Sequence, residues 1–401
     1  MRSLRERLSQ LTRIGPAPAA EPPRAESGFL PATQTPHGPV QFLQQVHGPD
    51  CVQGKVRVAG ARVAQSATVA ALALDETLAD VDLTQMLMMD TETTGLHGGS
   101  GTLPWVVGVS WFEQEDLIVR QLFLGRPGAE RPLLKMLAEK MDACSVLVTF
   151  NGKCFDWPLL RTRFIMNRIT PPAPKPHLDL LHCSRRIFKR RLGGTRLQDL
   201  EVAVLGFQRV GDIAGADIPA VYFDWLRSGV SSEVERVLEH NAQDLVSMAA
   251  ILAELCRRFE GLSPDDAAED CLSLARIALR CAQPDRADAF ARAAVERSIH
   301  PQVAFEALVL LAQQAARARD SIEAASLLEK AAALPGLGRA SQAEVHLLLA
   351  KVYEHGLKRP DRALHHARLG SMAEDALANV KRIERVRLKI ATAERRGILP
   401  G

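Results

Sequence analysis

The fold of this chain is first indicated by the segment Met86–Leu96, MLMMDTETTGL. Its first four residues are apolar, as is typical of a buried β-strand. Side chains alternate between the two faces of a strand, so Asp90 and Glu92 point to the same side, about 7 Å apart. Two such carboxylates repel each other and lose solvation, which a fold tolerates poorly unless a cation lies between them. Taken alone, the segment also fits an acidic strand end that runs into a Thr-Gly turn.

Composition and length limit the class of protein. A chain of 401 residues suggests two or three domains, and 47% hydrophobic with 24% charged residues is typical of a soluble globular protein. The formal net charge is only +3, so any surface that binds nucleic acid must be a local patch. Seven cysteines without CxxC spacing argue against zinc and disulfides. With no signal peptide and no long apolar run, we expect a cytoplasmic protein without a membrane span.

Changes in composition divide the chain into four parts. We expect a disordered N-terminal linker over 1–35, a small β element over 36–80, a mixed α/β domain over 81–260 and helical repeats over 264–401. The last two parts are expected to fold independently. Within the mixed domain, periodicity predicts strands at 85–91, 105–111, 115–124 and 145–150, and helices at 131–141, 156–166, 180–191 and 232–257.

The helical part has an internal repeat. Leu-Ala pairs at 274–275, 311–312 and 349–350 recur every 37 or 38 residues, and a further alanine follows each pair, at Ala287, Ala324 and Ala363. Small residues at such positions allow paired antiparallel helices to approach closely. The pattern resembles the tetratricopeptide repeat, although that repeat has a period of about 34 residues. An Ala-rich helical bundle is the alternative.

Two further acids change the interpretation of the opening segment. Asp156 begins a helix after the stretch VLVTFNGKCF, and Asp244 lies on a strongly periodic helix in LEHNAQDLVSM. Hydrolysis of phosphodiesters by two metal ions needs an anionic cage that holds the ions about 3.5–4 Å apart. Together with Asp90 and Glu92, these residues supply four carboxylates, and oxygen ligands suit Mg²⁺ or Mn²⁺.

These motifs, in this order over roughly residues 80–258, resemble the DEDD exonucleases of the ribonuclease H-like superfamily. The stretches TFNGKCFDWPLL, HLDLLHCSRRIFKRRLG and HNAQDLVSMAAIL are most similar to the bacterial YprB-type domain, which is fused to tetratricopeptide-like repeats. The resemblance implies a ribonuclease H-like fold, 3′→5′ exonuclease activity on RNA or DNA, and two divalent cations held by the four acids. It also implies that Thr93 and Leu96 lie beside the terminal nucleotide. We expect Asn151 to contact substrate as well, and the repeats to bind a protein partner or guide substrate.

The position of His240 departs from the family pattern. In one subclass a histidine precedes the last acid by five residues, and in another a tyrosine precedes it by four. Here His240 stands four residues before Asp244, which places both on one face of a helix. We therefore expect His240 to act as general base on water; a surface histidine without a role is the alternative. His97, His177 and His182 have less support.

A basic segment lies between the second and third acid motifs. RRIFKRRLGGTR carries six cations and no acid, and it predicts a patch that holds phosphates without reading sequence. Arg186, Lys189 and Arg190 are its candidate contacts; a solvated helix face is the alternative. Aromatic residues are scarce, and Phe155 and Trp157 are expected to pack beside Asp156 rather than stack on bases.

Two other functions compete with a nuclease. One is a binding scaffold with an inactive nuclease-like domain, against which the presence of all four acids argues. The other is a phosphatase of the haloacid dehalogenase type, suggested by Asp90-x-Glu92-x-Thr94. That chemistry usually needs a second Asp at the position of Glu92 and gives no role to Asp156. The sequence leaves open whether RNA or DNA is cleaved.

Overall fold

The computed structural model describes residues 29–95 and 101–395. The strands are β1 (Ala32–Thr35), β2 (Gly38–His47), β3 (Val52–Gln53), β4 (Val56–Arg57), β5 (Met86–Thr93), β6 (Pro104–Glu113), β7 (Asp116–Phe123), β8 (Val146–Thr149) and β9 (His177–Asp179). The four strands expected in the mixed domain are confirmed within a few residues as β5 to β8.

Seven of these strands form one mixed sheet in the order β1-β2-β7-β6-β5-β8-β9. Pairing is antiparallel from β1 to β5, whereas β5, β8 and β9 run parallel. The strand that carries the first two acids, β5, therefore lies inside the sheet where the pairing changes direction. The neighbouring strands β6 and β8 pair with both edges of β5 and shield its backbone from solvent, which suits the apolar first half of the strand.

The small β element expected over 36–80 is part of this sheet rather than a separate unit. Its long strand β2 pairs along seven positions with β7, from Gln41 opposite Phe123 to His47 opposite Leu117. Only β3 and β4 form a sheet of their own. The sheet thus extends beyond the boundary expected at residue 81.

Helices flank both faces of the sheet. In the first part of the chain they are α1 (Ser66–Ala73), α2 (Glu130–Ala143), α3 (Asp156–Met166), α4 (Leu180–Leu192), α5 (Leu197–Leu200), α6 (Ile218–Ser228) and α7 (Ser232–Glu260). Residues of β5 alternate between two cores: Met86 and Met88 pack with α7, whereas Leu87 and Met89 pack with α2 and α3. The four expected helices are confirmed as α2, α3, α4 and α7.

The second part of the chain is entirely helical in the described residues. Its helices are α8 (Ala268–Arg280), α9 (Pro284–Arg297), α10 (Pro301–Arg317), α11 (Ser321–Ala332), α12 (Arg339–Lys351), α13 (Pro360–Leu369) and α14 (Ala376–Arg395). The repeated alanines Ala287, Ala324 and Ala363 are all fully buried near the starts of α9, α11 and α13. Three successive helix pairs therefore use small residues at the same place. The predicted fold class, a mixed sheet flanked by helices followed by an all-helical region, is confirmed.

The two parts share a core. Buried residues of α4 and α7 belong to the same apolar cluster as residues of α8, α9 and α10. At the junction the fully buried Asp270 accepts from Arg191 Nε at 2.9 Å and from Arg258 Nη1 at 3.3 Å. This shared core argues against independent folding of the two parts. Among the described residues, no helix is both long and apolar enough to cross a bilayer.

Candidate metal centre

Asp90 and Glu92 lie on the face of β5 that packs against α7. Because side chains alternate along the strand, both follow Met86 and Met88 onto this face. Asn241 of α7 donates from Nδ2 to Asp90 Oδ2 at 2.8 Å, which fixes that carboxylate against the helix. The sequence-based placement of the two acids on one face thus agrees with the structure.

Asp156 is the first residue of α3, directly after the loop that follows β8. Its Oδ1 accepts from Thr91 Oγ1 at 2.5 Å, so β5 also positions this acid. The loop is in turn fixed by Asp179, which accepts from the backbone nitrogens of Asn151 at 2.8 Å and Lys153 at 3.2 Å. Asp179 is therefore a structural acid that holds the loop leading to Asp156.

Asp244 lies one turn after His240 on α7 and forms an ion pair with Arg209. The Arg209 side chain is 5% exposed and also pairs with Glu201 at 2.5 Å. Burial alone would lower the pKa of Arg209, but its bonds to Glu201 and the charge of Asp244 raise it, so the guanidinium stays charged. The buried guanidinium of Arg209 therefore holds the Asp244 carboxylate in position.

The four acids lie close enough for their charges to interact. Burial raises the pKa of Asp90 well above its usual value, and the charges of Asp244, Glu92 and Asp156 raise it further. Burial and the charges of Asp244 and Asp156 act in the same way on Glu92. Burial also raises the pKa of Asp156, to about 6, and that of Asp244 despite the nearby Arg209. One strand and two helices therefore bring four mutually repelling carboxylates to one place.

Glu92 and His240 both lie close to Asp244. Glu92 is 8% exposed, and no described residue donates a hydrogen bond or forms an ion pair with its carboxylate. One ligand atom each from Glu92, His240 and Asp244 lies within 4.8 Å of the others. In the described ranges 29–95 and 101–395, this is the one group of three or more such side chains that meets that distance.

No sequence pattern predicts the residues that contact His240 Nδ1. Asp212 Oδ1 lies 2.7 Å from His240 Nδ1, and Arg209 Nη1 lies 3.2 Å from the same nitrogen. Both residues belong to the irregular segment between α5 and α6, where no periodic pattern predicts a buried side chain. Asn241 is also missed, although its position between His240 and Asp244 is a weak hint. His177, which had little support, contacts Thr149 Oγ1 at 2.8 Å instead.

A cavity of about 580 Å³ opens beside the acids. Its wall includes Glu92, Thr93, Asp156 and Phe155. Phe155 is 55% exposed, so the expectation that it packs beside Asp156 is wrong; only Trp157 packs against the core. Phe155 precedes α3 and lies at the wall of the cavity. Of the other expected substrate contacts, Asn151 has φ of +70° in the turn before α3, and Leu96 lies outside the described residues.

A second cavity, of about 350 Å³, reaches the site from the side of α7. Its lining includes His240, Asp244 and the exposed Arg196. Gly215, in the loop before α6, lines both cavities. The residue of the basic segment that lies next to the acids is therefore Arg196.

The rest of the basic segment has other partners. Arg190 is paired with Glu306 of α10 at 2.6 Å, and Arg186 Nη1 donates to the Leu72 carbonyl at 3.1 Å. These contacts join α4 to its neighbours, and they occupy two of the three cations expected to bind phosphate. Lys189 is exposed on α4. The expected phosphate patch is thus largely a packing surface between the two parts of the chain.

Comparison with known proteins agrees with this geometry. Residues 87–256 match the family model described as RNase_H superfamily. The matched range runs from β5 to α7, and its mixed sheet with flanking helices is consistent with a ribonuclease H-like fold. The chain is also 29% identical over 320 residues to the uncharacterized protein YprB of Bacillus subtilis (strain 168), covering 78% of this chain and 75% of that protein. Residues 87–256, the range matched by the family model, contain all four acids and His240.

The donor set fits divalent cations. Four carboxylates with raised pKa values and a buried Glu92 without a donor form a site of concentrated negative charge. Asp90, Glu92, Asp156 and Asp244 would hold the ions through oxygen atoms, the ligands that Mg²⁺ and Mn²⁺ accept. Residues of the ribonuclease H-like domain thus suit the metal chemistry expected of that fold.

Proposed function

We propose that this protein hydrolyses phosphodiester bonds in RNA or DNA with two divalent cations, as a 3′→5′ exonuclease. The observation that carries the proposal is the convergence of Asp90, Glu92, Asp156 and Asp244 at one end of a ribonuclease H-like sheet. Such ions neutralise the charge that develops at a scissile phosphate and activate water. A fold has little reason to bring four repelling carboxylates together, two of them buried, unless they bind cations.

The surroundings of the acids support a nucleic-acid substrate. The exposed ring of Phe155 stands at the wall of the larger cavity, where it can stack on a base. Thr93 lines the same cavity, and Arg196 lines the second one as a contact for a phosphate. A terminal nucleotide entering from the first cavity would therefore meet the acids with its backbone directed toward Arg196. The helix pairs after residue 268 are proposed to bind a protein partner.

The test is cleavage of end-labelled RNA and DNA with Mg²⁺, Mn²⁺ or EDTA, with the products separated by length. We expect a ladder of products that shorten from the 3′ end, and no cleavage in EDTA. Asp90→Asn and Asp244→Asn should abolish cleavage, because each removes a charge that holds an ion. Mg²⁺ or Mn²⁺ should also raise the melting temperature of the wild type, since the ions bind only the folded cage.

The matched control is Asp217→Asn, which changes an exposed acid in the loop before α6. It should cleave like the wild type. Cleavage that continues in excess EDTA, or in Asp90→Asn, would disprove the proposal. A metal-independent binding activity with no cleavage would support the scaffold function instead.

A further inference from the structure

We propose that His240 is itself a metal ligand, through Nε2, together with Glu92 and Asp244. The consequence is a site that prefers a first-row transition ion such as Mn²⁺ over Mg²⁺. This assignment rests on the proposed metal-dependent function and replaces the general-base role expected from the spacing of His240. A nitrogen whose lone pair binds an ion is not free to accept a proton from water.

Glu92, His240 and Asp244 bring their ligand atoms close together. Their ligand atoms lie within 4.8 Å of one another, and His240 Nε2 is 3.7 Å from Asp244 Oδ2. That separation is too long for a hydrogen bond. Two ligand atoms that each lie about 2.1 Å from an ion are about 3.0 Å apart at a right angle and about 4.2 Å apart on opposite sides. The contact between His240 and Asp244 falls between these limits.

The carboxylate of Glu92 has no hydrogen-bond donor. The residue is 8% exposed, and no described residue donates to its carboxylate. Glu92 lines the larger cavity, where an ion can reach it. Its oxygen is turned toward His240 and Asp244 rather than toward a donor. An ion shared by the three side chains would satisfy it.

Asp212 and Arg209 contact the imidazole of His240 on its other side. His240 Nδ1 lies 2.7 Å from Asp212 Oδ1 and 3.2 Å from Arg209 Nη1. The shorter contact, to the carboxylate, favours the tautomer in which Nδ1 donates to Asp212, and in that tautomer the Nε2 lone pair faces Glu92 and Asp244. Histidines that bind metals almost always donate their second ring nitrogen to a carboxylate or carbonyl in this way.

Arg209 completes the arrangement by fixing Asp244. It pairs with Asp244 Oδ1, whereas Oδ2 is the oxygen that faces His240. Arg209 Nη1 also lies 3.4 Å from Asp212 Oδ2. One buried cation therefore holds both Asp244 and the carboxylate that orients His240. Asp212 and Arg209 are positioning residues, and they fix the orientations of His240 and Asp244.

The ligand types determine which ion is preferred. Mg²⁺ favours sites made of oxygen atoms alone, whereas imidazole nitrogen favours first-row transition ions. A site of two carboxylates and one histidine therefore discriminates against Mg²⁺ more strongly than a site of four carboxylates does. The remaining acids, Asp90 and Asp156, are oxygen ligands available for a second ion.

The test is metal binding by the full-length, metal-free protein, with Mn²⁺ and Mg²⁺ titrated separately by calorimetry. Pulsed electron paramagnetic resonance of bound Mn²⁺ then detects coupling to a nitrogen nucleus. We expect such coupling in the wild type, and we expect it to change when histidine is labelled with ¹⁵N. His240→Ala should abolish it, and Asp212→Asn should lower the affinity for Mn²⁺ by about 10- to 100-fold, with a smaller effect on Mg²⁺. His300→Ala, at a well-exposed histidine outside the site, should change neither.

The outcomes separate this inference from the proposed function. If Mn²⁺ binds and supports cleavage but the wild type shows no histidine nitrogen coupling, the ligand assignment is wrong while the nuclease remains. If neither ion binds the wild type, or Asp90→Asn cleaves normally, the proposed function itself fails. The labelled wild type decides the assignment even if His240→Ala does not fold.

Discussion

Asn241 donates to Asp90 across a gap that exists because Gly108 has no side chain. The amide Nδ2 lies 2.8 Å from Asp90 Oδ2, and the amide Oδ1 accepts from Gln121 Nε2 at 3.0 Å. Gly108 stands opposite Asp90 on β6, and a Cβ atom there would lie 2.1 Å from Asn241 Oδ1. The position of Asp90 thus depends on the absence of a side chain at Gly108 in the neighbouring strand.

Gly108→Ala should therefore impair the site without changing any of the four acids. The added methyl group would force Asn241 to rotate and lose its bond to Asp90, and hydrogen bonds to charged groups contribute about 1.5–3 kcal/mol. We expect a clear loss of cleavage and a smaller rise in melting temperature on addition of Mn²⁺. Gly261→Ala is the control, because a Cβ atom there meets nothing within 4 Å. Normal cleavage by Gly108→Ala would show that the Asn241 contact is dispensable.

The sequence predicted those parts of the site that follow a regular period. Asp90 and Glu92 share a face because a strand has a period of two, and His240 and Asp244 do so because they are one helical turn apart. Arg209 and Asp212 follow no such period. Their contacts to His240 join residues 31 and 28 positions apart through an irregular segment. Only the path of the chain in three dimensions shows that they are buried there.

The basic segment shows a second limit of the sequence. A run of cations on one helix predicts a phosphate patch only if no acid from elsewhere reaches it. Here the acids come from far along the chain: Glu306 is 116 residues from Arg190, and Asp270 is 79 residues from Arg191. Charge patterning within one helix contains no information about such partners.

Two arginines of this segment should therefore behave differently when replaced. Arg196→Ala should weaken binding to all nucleic-acid sequences and reduce the salt dependence by about one unit of slope, because Arg196 is exposed beside the acids. Arg190→Ala should leave the salt slope unchanged and lower the melting temperature, because Arg190 pairs with Glu306. Fluorescence anisotropy at several salt concentrations measures the first effect. Equal salt slopes for Arg196→Ala and wild type would remove Arg196 from the binding surface.

The ion pair between the two parts of the chain should make stability depend on pH. Burial alone would raise the pKa of Glu306, but the bonds from Arg190, Gln302 and Arg276 outweigh it and lower the pKa to about 2. A carboxyl whose pKa is lower in the folded state stabilises the fold above its unfolded pKa of about 4.3, and this contribution is lost as pH falls toward 2. Glu306→Gln should therefore unfold at lower urea concentration than wild type at pH 7. The difference should shrink below about pH 4.

Glu296→Gln, at an exposed acid on α9, is the control for that comparison. It should unfold like the wild type at every pH. A difference between Glu306→Gln and wild type that stays constant down to pH 3 would mean that the substitution acts through packing rather than through the charge.

The buried Asp270 provides the sharpest test of whether the two parts fold together. Its carboxylate is inaccessible to solvent and joins Arg191 of α4 to Arg258 of α7, so Asp270→Ala leaves a buried Arg258 with fewer partners. Breaking a buried ion pair typically costs about 3–5 kcal/mol. We expect a large fall in melting temperature with one transition for the whole chain, observed both by circular dichroism and by loss of cleavage. A chain shortened to end at Arg258 should aggregate, because it loses Asp266 and Asp270 together and uncovers the apolar face of α4. Two separate transitions, or a soluble and active shortened chain, would instead show that the ribonuclease H-like domain is independent of the helical repeats.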